Sequence, residues 1–222
     1  VLKPLMSRLK PGHKIAAFGY PDITATREEM LGILGPRTIS YREDSEEICH
    51  RHGIEPPRPI PDADSLFKAF DAHLDVFDVV QERGNEIICD LNVPMNIKQE
   101  YDFVLDVGTM EHCFNIGQAM MNMADMLKVG GVIFHENPFV MPNHGFWSVN
   151  PTVYADFYEQ NGFELIGCTA HVGRLGADSM AEVPLKKRFS LKGPFVTATL
   201  LAAAERKEIK PFVMPVQSKY KH

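Results

Sequence analysis

Apolar and polar residues alternate along this chain in blocks that read as strands and helices in turn. Residues 14–18, KIAAF, form a short apolar run closed by Gly19-Tyr20-Pro21-Asp22, which predicts a core strand running into a turn. A capped helix, TREEMLGILG, follows, with Thr24 or Thr26 as cap, Glu28 and Glu29 in its first turn and Gly35-Pro36 at its end. Residues 38–43 read as a strand and 44–53 as a short helix on the surface. The segment 55–62 is too rich in proline for a regular element and is expected to be a surface connection. SLFKAFDAH then reads as a helix, LDVFDVV as a strand, and EIICDLNVP as a buried strand stopped by Pro94.

The run Phe103-Val104-Leu105 with Val107 is nearly all apolar, as in the middle of a parallel sheet covered on both faces. Ile116, Met120, Met123, Ala124 and Leu127 recur at helical spacing, predicting a helix over 116–128 that Gly130-Gly131 terminates. VIFHE is the next strand, TVYADFYEQNGF a helix with Pro151 near its start and Gly162 at its end, and FELIGCTAHV another strand. Residues 173–194 read as irregular, and FVTATLLAAAERK as a final strand. Alternation of this kind predicts an open α/β sheet. The last two strands have no helix between them, so they are expected to pair antiparallel at one edge.

Composition narrows the classes. The chain has 222 residues and a net charge of −6, with a pI near 5.8. That balance suits a single globular domain over 1–222 and lacks the basic field of a dedicated nucleic-acid binder. Cys49, Cys89, Cys113 and Cys168 are scattered, which predicts reduced thiols and a cytoplasmic setting. No apolar run reaches the ~20 residues of a membrane span. Cys49, His50 and His52 cluster without further ligands, so they read as a solvated helix face, and no metal site is expected.

Three motifs carry a resemblance. MLKVGGVIFHE is similar to the LxPGG turn before the fifth strand of class I S-adenosylmethionine-dependent methyltransferases. VLDVGTMEH resembles that family's fourth strand and following loop, and the ending NGFELIG to FVTATLLAAAERK resembles its sixth and seventh strands. The resemblance implies a Rossmann-like, seven-stranded, mostly parallel sheet with helices on both faces and an antiparallel C-terminal edge pair. It also implies S-adenosylmethionine as cofactor and a small-molecule or glycan acceptor. The departure is at the first strand, where only Gly19 matches an acidic-x-Gly-x-Gly-x-Gly loop.

Ligands in such sheets sit beyond the carboxyl ends of the strands. The expected cofactor contacts are therefore Gly19, Tyr20 and Asp22, with Asp22 replacing the missing acid against the methionine ammonium. Asp75 or Asp78, with Asp75 preferred, is expected on the ribose hydroxyls, since a carboxylate can accept from both. Asp90 and Leu91 are expected at the adenine, and Asp106 and Gly108 at the fourth-strand end. His112 is the expected general base, because histidine titrates near neutrality, and Glu111 its orienting partner. His135 reads as a core histidine. Asn143, His144 and Trp147 are expected to line the acceptor pocket. The competing reading is a non-catalytic module that has lost its glycine loop.

Overall fold

The computed structural model describes residues 1–174, 177–189 and 197–220. In chain order the elements are α1 (Leu2–Met6), β1 (Lys14–Phe18), α2 (Arg27–Leu34), α3 (Ser45–Arg51), α4 (Ala63–Lys68), β2 (His73–Asp78), β3 (Ile87–Ile88) and β4 (Tyr101–Val107). They continue with α5 (Ile116–Asp125), β5 (Leu127–Val140), α6 (Pro151–Gln160), β6 (Phe163–Arg174), β7 (Ala177–Glu182) and β8 (Thr197–Arg206). Among the described residues the strands form one sheet in the order β3-β2-β1-β4-β5-β8-β6-β7. The first five are parallel, and β8 inserts antiparallel between β5 and β6.

This is the expected Rossmann-like sheet with its antiparallel end, and VLDVGT lies on β4 beside β1, in the fourth-strand position (Ile15 opposite Phe103). An eighth strand is added. Part of the stretch read as irregular continues β6 to Arg174 and returns as β7. ADSMAE has little intrinsic strand preference; its extended form comes from the backbone ladder with β6. Residues 190–196 of that stretch lie outside the described residues.

Side-chain alternation divides the core between the two faces. Ala16 and Phe18 of β1 meet Met120, Met123 and Ala124 of α5 and Tyr154, Phe157 and Tyr158 of α6 within one apolar cluster. Ile15 and Ala17 face the other way, toward Leu5, Met30, Leu34, Leu66 and Phe67. Each fully buried Leu, Phe or Met contributes about 1.5–3 kcal/mol over its exposed state, most of it offset by chain entropy. Thr26 and Glu29 close a reciprocal capping box on α2, a cap of about 1 kcal/mol, which fixes the chain leaving the β1 loop.

Four local expectations are corrected. The buried strand at 86–94 shrinks to Ile87–Ile88, and both side chains are exposed, because this is an edge strand. Residues 38–43 form no strand; Tyr41 makes an isolated bridge to Pro61. Cys49 is not on a solvated face: with Ile48 and Ile60 it is fully buried in a small core of its own, which also pulls the proline-rich connection inward. Finally, α5 stops at Asp125 and Leu127 already belongs to β5. The buried Arg206 causes this, since its Nη1 donates to the carbonyls of Ala124, Asp125 and Leu127. A cation on the last carbonyls of a helix satisfies them and suits the dipole. Gly131 instead marks a close approach: a Cβ there would lie 2.9 Å from Leu127 Cδ2 and 3.0 Å from the Lys128 carbonyl.

Candidate functional site

The strand order reverses between β1 and β4, the position where an open α/β sheet leaves a crevice. A cleft of about 500 Å³ occupies it, walled by the residues following β1, β2, β3 and β4. Gly19 and Gly108 turn the chain at the ends of β1 and β4 with φ of 75° and 74°, a region that costs other residues about 1–2 kcal/mol. Gly19 N donates to the Phe77 carbonyl and Gly108 N to that of Glu136, both at 2.9 Å. Thr109 Oγ1 donates to the Phe18 carbonyl at 2.8 Å, tying the two turns together.

The expected cofactor residues divide sharply. Gly19, Tyr20, Asp22, Asp90, Leu91 and Gly108 all line the cleft. Asp90 is exposed and its Oδ1 accepts from Asn92 N at 2.8 Å, an arrangement that holds the carboxylate below its ordinary range. Tyr20 is more constrained: its hydroxyl donates to Asp62 at 2.7 Å, and the guanidiniums of Arg42 and Arg83 lie over its ring at 5.0 and 4.5 Å. Burial and the bond to Asp62 push the hydroxyl up to about 12. Asp22 meets Arg42 at 3.4 Å, Arg51 at 3.4 Å and His52 at 3.1 Å, so cations of the 42–52 segment hold the β1 loop where glycines would otherwise shape it. His52 thereby joins the cleft wall.

Asp75 and Asp106 are elsewhere. Asp75 is in mid-strand, where it accepts from Tyr101 Oη at 2.9 Å and lies 3.0 Å from His73 Nε2. Asp78, three residues on, ends β2 and lines the cleft; its Oδ1 accepts from Val79 N and Val80 N at 2.7 and 3.2 Å. Among the described residues Oδ2 makes no hydrogen bond. Asp75 thus lies within β2 and not after it, because strand ends cannot be fixed by an apolar run such as LDVFDVV.

Asp106 is fully buried beneath the cleft floor. Its Oδ1 accepts from Met110 N at 3.0 Å, and its Oδ2 lies 2.6 Å from His135 Nδ1 and 3.0 Å from Asn137 Nδ2. The two ring nitrogens of His135 thus lie within hydrogen-bond distance of two buried groups, Nδ1 of the Asp106 carboxyl and Nε2 of Tyr158 Oη. Asn137 accepts in turn from Tyr154 Oη and donates to Glu111 Oε2 at 3.0 Å. Burial raises both tyrosine hydroxyls well above their ordinary range, which keeps them as donors. His135 and Asn137 lie inside β5 rather than after it, because that strand runs on to Val140. Asn137, Tyr154 and Tyr158 carried no periodic signal beyond ordinary core spacing.

Glu111 is also fully buried, yet among the described residues its Oε1 has no hydrogen-bond partner. Loss of water pushes its carboxyl above the ordinary value of 4.5. His144 Nε2 lies 3.4 Å and His112 Nε2 3.9 Å from that oxygen. His112 is half-exposed at the cleft. Asn143 and His144 follow β5 in a loop turned by Asn143 at φ 61°. Trp147 Nε1 donates to the Cys113 carbonyl at 3.0 Å, and its ring packs 6.2 Å from Phe114. A second cavity of about 720 Å³ lies between α5, α6 and the 184–189 and 214–219 segments, rimmed by Lys186, Lys187 and Arg188. It is away from the strand-order reversal.

No helix among the described residues is long and apolar enough to cross a membrane. No family model matches the sequence, and no curated protein matches it. The structure is similar to a SAM-dependent methyltransferase from Archaeoglobus fulgidus at 12% identity and TM-score 0.48, covering 92% of this chain and 91% of that one. It is similar to the Burkholderia thailandensis 1,6-didemethyltoxoflavin-N1-methyltransferase, solved with bound 1,6-didemethyltoxoflavin and S-adenosylhomocysteine, at 11% identity and TM-score 0.46, covering 89% and 72%. A SAM-dependent methyltransferase from Aquifex aeolicus gives 10% identity and TM-score 0.42, covering 89% and 84%. The class I methyltransferase fold of this chain stands on its own strand order.

Proposed function

We propose that the chain transfers a methyl group from S-adenosylmethionine to a small-molecule or glycan acceptor in the cleft between β1 and β4. One observation carries this reading: two carboxylates, half-buried Asp78 at the end of β2 and exposed Asp90 just past β3, line the same cleft that Gly19 and Gly108 open. The volume of the cleft falls within the roughly 300–1,000 Å³ usual for small-ligand sites. Asp78 Oδ2 accepts from ribose hydroxyls, Asp90 from the adenine amino group, and Leu91 gives the base an apolar contact. S-adenosylmethionine supplies an electrophilic methyl group when bound. The chain then has mainly to align the acceptor with it, which can lower a barrier by several kcal/mol. His112, half-exposed at the cleft, takes the acceptor's proton. The four cysteines are free thiols, in keeping with work in the cytoplasm.

Asp22 favours a second reading, a module that binds a ligand without transferring a methyl group. Its carboxylate is already matched by Arg42, Arg51 and His52, and a cofactor ammonium must compete with them. Calorimetric titration with S-adenosylhomocysteine decides first. Micromolar binding is expected, weakened about tenfold or more in Asp78→Asn, since a hydrogen bond to a charged group is worth about 1.5–3 kcal/mol. Absence of binding at millimolar ligand would overturn both the cofactor and the methyl transfer. Binding without turnover across an acceptor panel leaves the module.

A further inference from the structure

Glu111, His112 and His144 are brought together from two loops. Their nearest ligand atoms, one carboxylate oxygen and two imidazole nitrogens, all lie within 4.8 Å of one another. We propose that these three side chains bind a divalent transition-metal cation, zinc being the best match, at the edge of the cleft.

The donor set is the first argument. Two imidazoles and one carboxylate hold zinc with a position left open for water or substrate, at about 2.0–2.2 Å from the metal. Donors at such lengths stand about 3.3 Å apart around a tetrahedral ion. The observed separations from Glu111 Oε1 are 3.4 Å to His144 and 3.9 Å to His112. Both histidines are partly exposed, so small rotations suffice to close the set.

Glu111 Oε1 is a fully buried carboxylate oxygen with no hydrogen-bond partner among the described residues. Leaving such a group unpaired costs about 1–3 kcal/mol, more when it is charged. Its other oxygen is aimed by Asn137, which Asp106 and Tyr154 hold in turn. That is how an outer shell orients a ligating carboxylate. The loop carrying His144 is fastened to the same residue: Phe146 N and Trp147 N both donate to the Glu111 carbonyl. Gly145 is required there, because a Cβ would lie 2.9 Å from Glu111 Cγ and from its carbonyl oxygen.

The site adjoins the cleft. A Cβ on Gly108, which lines it, would lie 3.6 Å from Glu111 Oε1. Metal binding stands without the methyl-transfer reading. Resting on that reading, the open position of the cation receives an acceptor oxygen and eases its deprotonation, as a Lewis acid does, and His112 then serves as a metal ligand in place of general base, the proton passing to solvent. The acceptors favoured are then hydroxyl compounds.

The test is titration of chelator-treated full-length protein with Zn²⁺ alone, against a competing indicator, and with Co²⁺ by visible absorption. One equivalent is expected to bind with micromolar or tighter affinity. Losing an outer-shell partner commonly costs 10–100-fold in metal affinity, so His144→Ala, which removes a ligand at the surface, is expected to weaken binding by at least about a hundredfold. His112→Ala is expected to do the same, while His50→Ala changes nothing. The Co²⁺ complex should show the strong visible bands of a four-coordinate ion. No saturable binding, or equal binding in His144→Ala, would overturn the site, as would loss of binding in His50→Ala alone. S-adenosylhomocysteine titration of His144→Ala keeps the two readings apart, because that affinity is expected to survive.

Discussion

The ends of β2 and β3 and the end of β4 each carry an aspartate, and their fates are opposite. Asp78, half-buried, and Asp90, exposed, line the cleft, each accepting short-range backbone bonds and keeping capacity to spare. Asp106 faces down into the sheet, with its bonding capacity taken by Met110, His135 and Asn137. The same side chain at the same kind of position is a ligand acceptor on one side and the keystone of a buried network on the other. The difference comes from strand length and pleat. One residue along a strand reverses the face, and β4 places Val107, exposed, between Asp106 and the Gly108 turn.

Removing the keystone should have the largest effect. Asp106→Ala leaves His135 Nδ1 buried without its carboxylate and Asn137 Nδ2 with Glu111 alone, and breaking a buried polar pair of this kind costs about 3–5 kcal/mol. Urea unfolding should report that loss; an unchanged midpoint would erase the distinction between the two regions. The counterpart is Asp90→Ala, expected to weaken S-adenosylhomocysteine about tenfold or more by calorimetry, on the scale of a charged hydrogen bond, while the unfolding midpoint stays at the wild-type value. A large stability loss there would show that the cleft carboxylates are structural as well.

The smallest effect concerns the cysteines between the two regions. Burial, with nearby carboxylates adding to it, pushes the thiols of Cys89 and Cys113 up to about 11. The thiolate is the reactive form. Alkylation by iodoacetamide should therefore be slow at pH 8 and climb about tenfold per pH unit until near pH 11. Both cysteines line the cleft, so bound S-adenosylhomocysteine should slow it further. Fast labelling at pH 8 would place these walls in water.

The parts legible in the sequence were those that repeat. Apolar runs and 3.6-residue stripes give the five parallel strands, α5 and α6, and glycines at 19 and 108 mark the turns. What stayed hidden depends on contacts between distant residues. The end of α5 is set by Arg206, some eighty positions downstream, so Gly130-Gly131 was a natural but mistaken stop. Asp106 looked like a cofactor contact because its own strand gives no sign of His135. Glu111 and His112 stood out as neighbours, but nothing in the spacing brought His144 to them; that depends on Gly145 seating a loop on the Glu111 backbone.

The position of β8 sets an order on synthesis. Among the described strands it is the last to leave the ribosome, yet it lies inside the sheet, between β5 and β6. Until residue 206 has emerged, the long edge of β5 has no partner and the carbonyls at the end of α5 have no guanidinium. A nascent chain at that stage offers an open ladder that another strand can join. Closing it brings together segments far apart in the chain, which is slow relative to local helix formation. The antiparallel half of the sheet is therefore the part of this protein most in need of protection while it is being made.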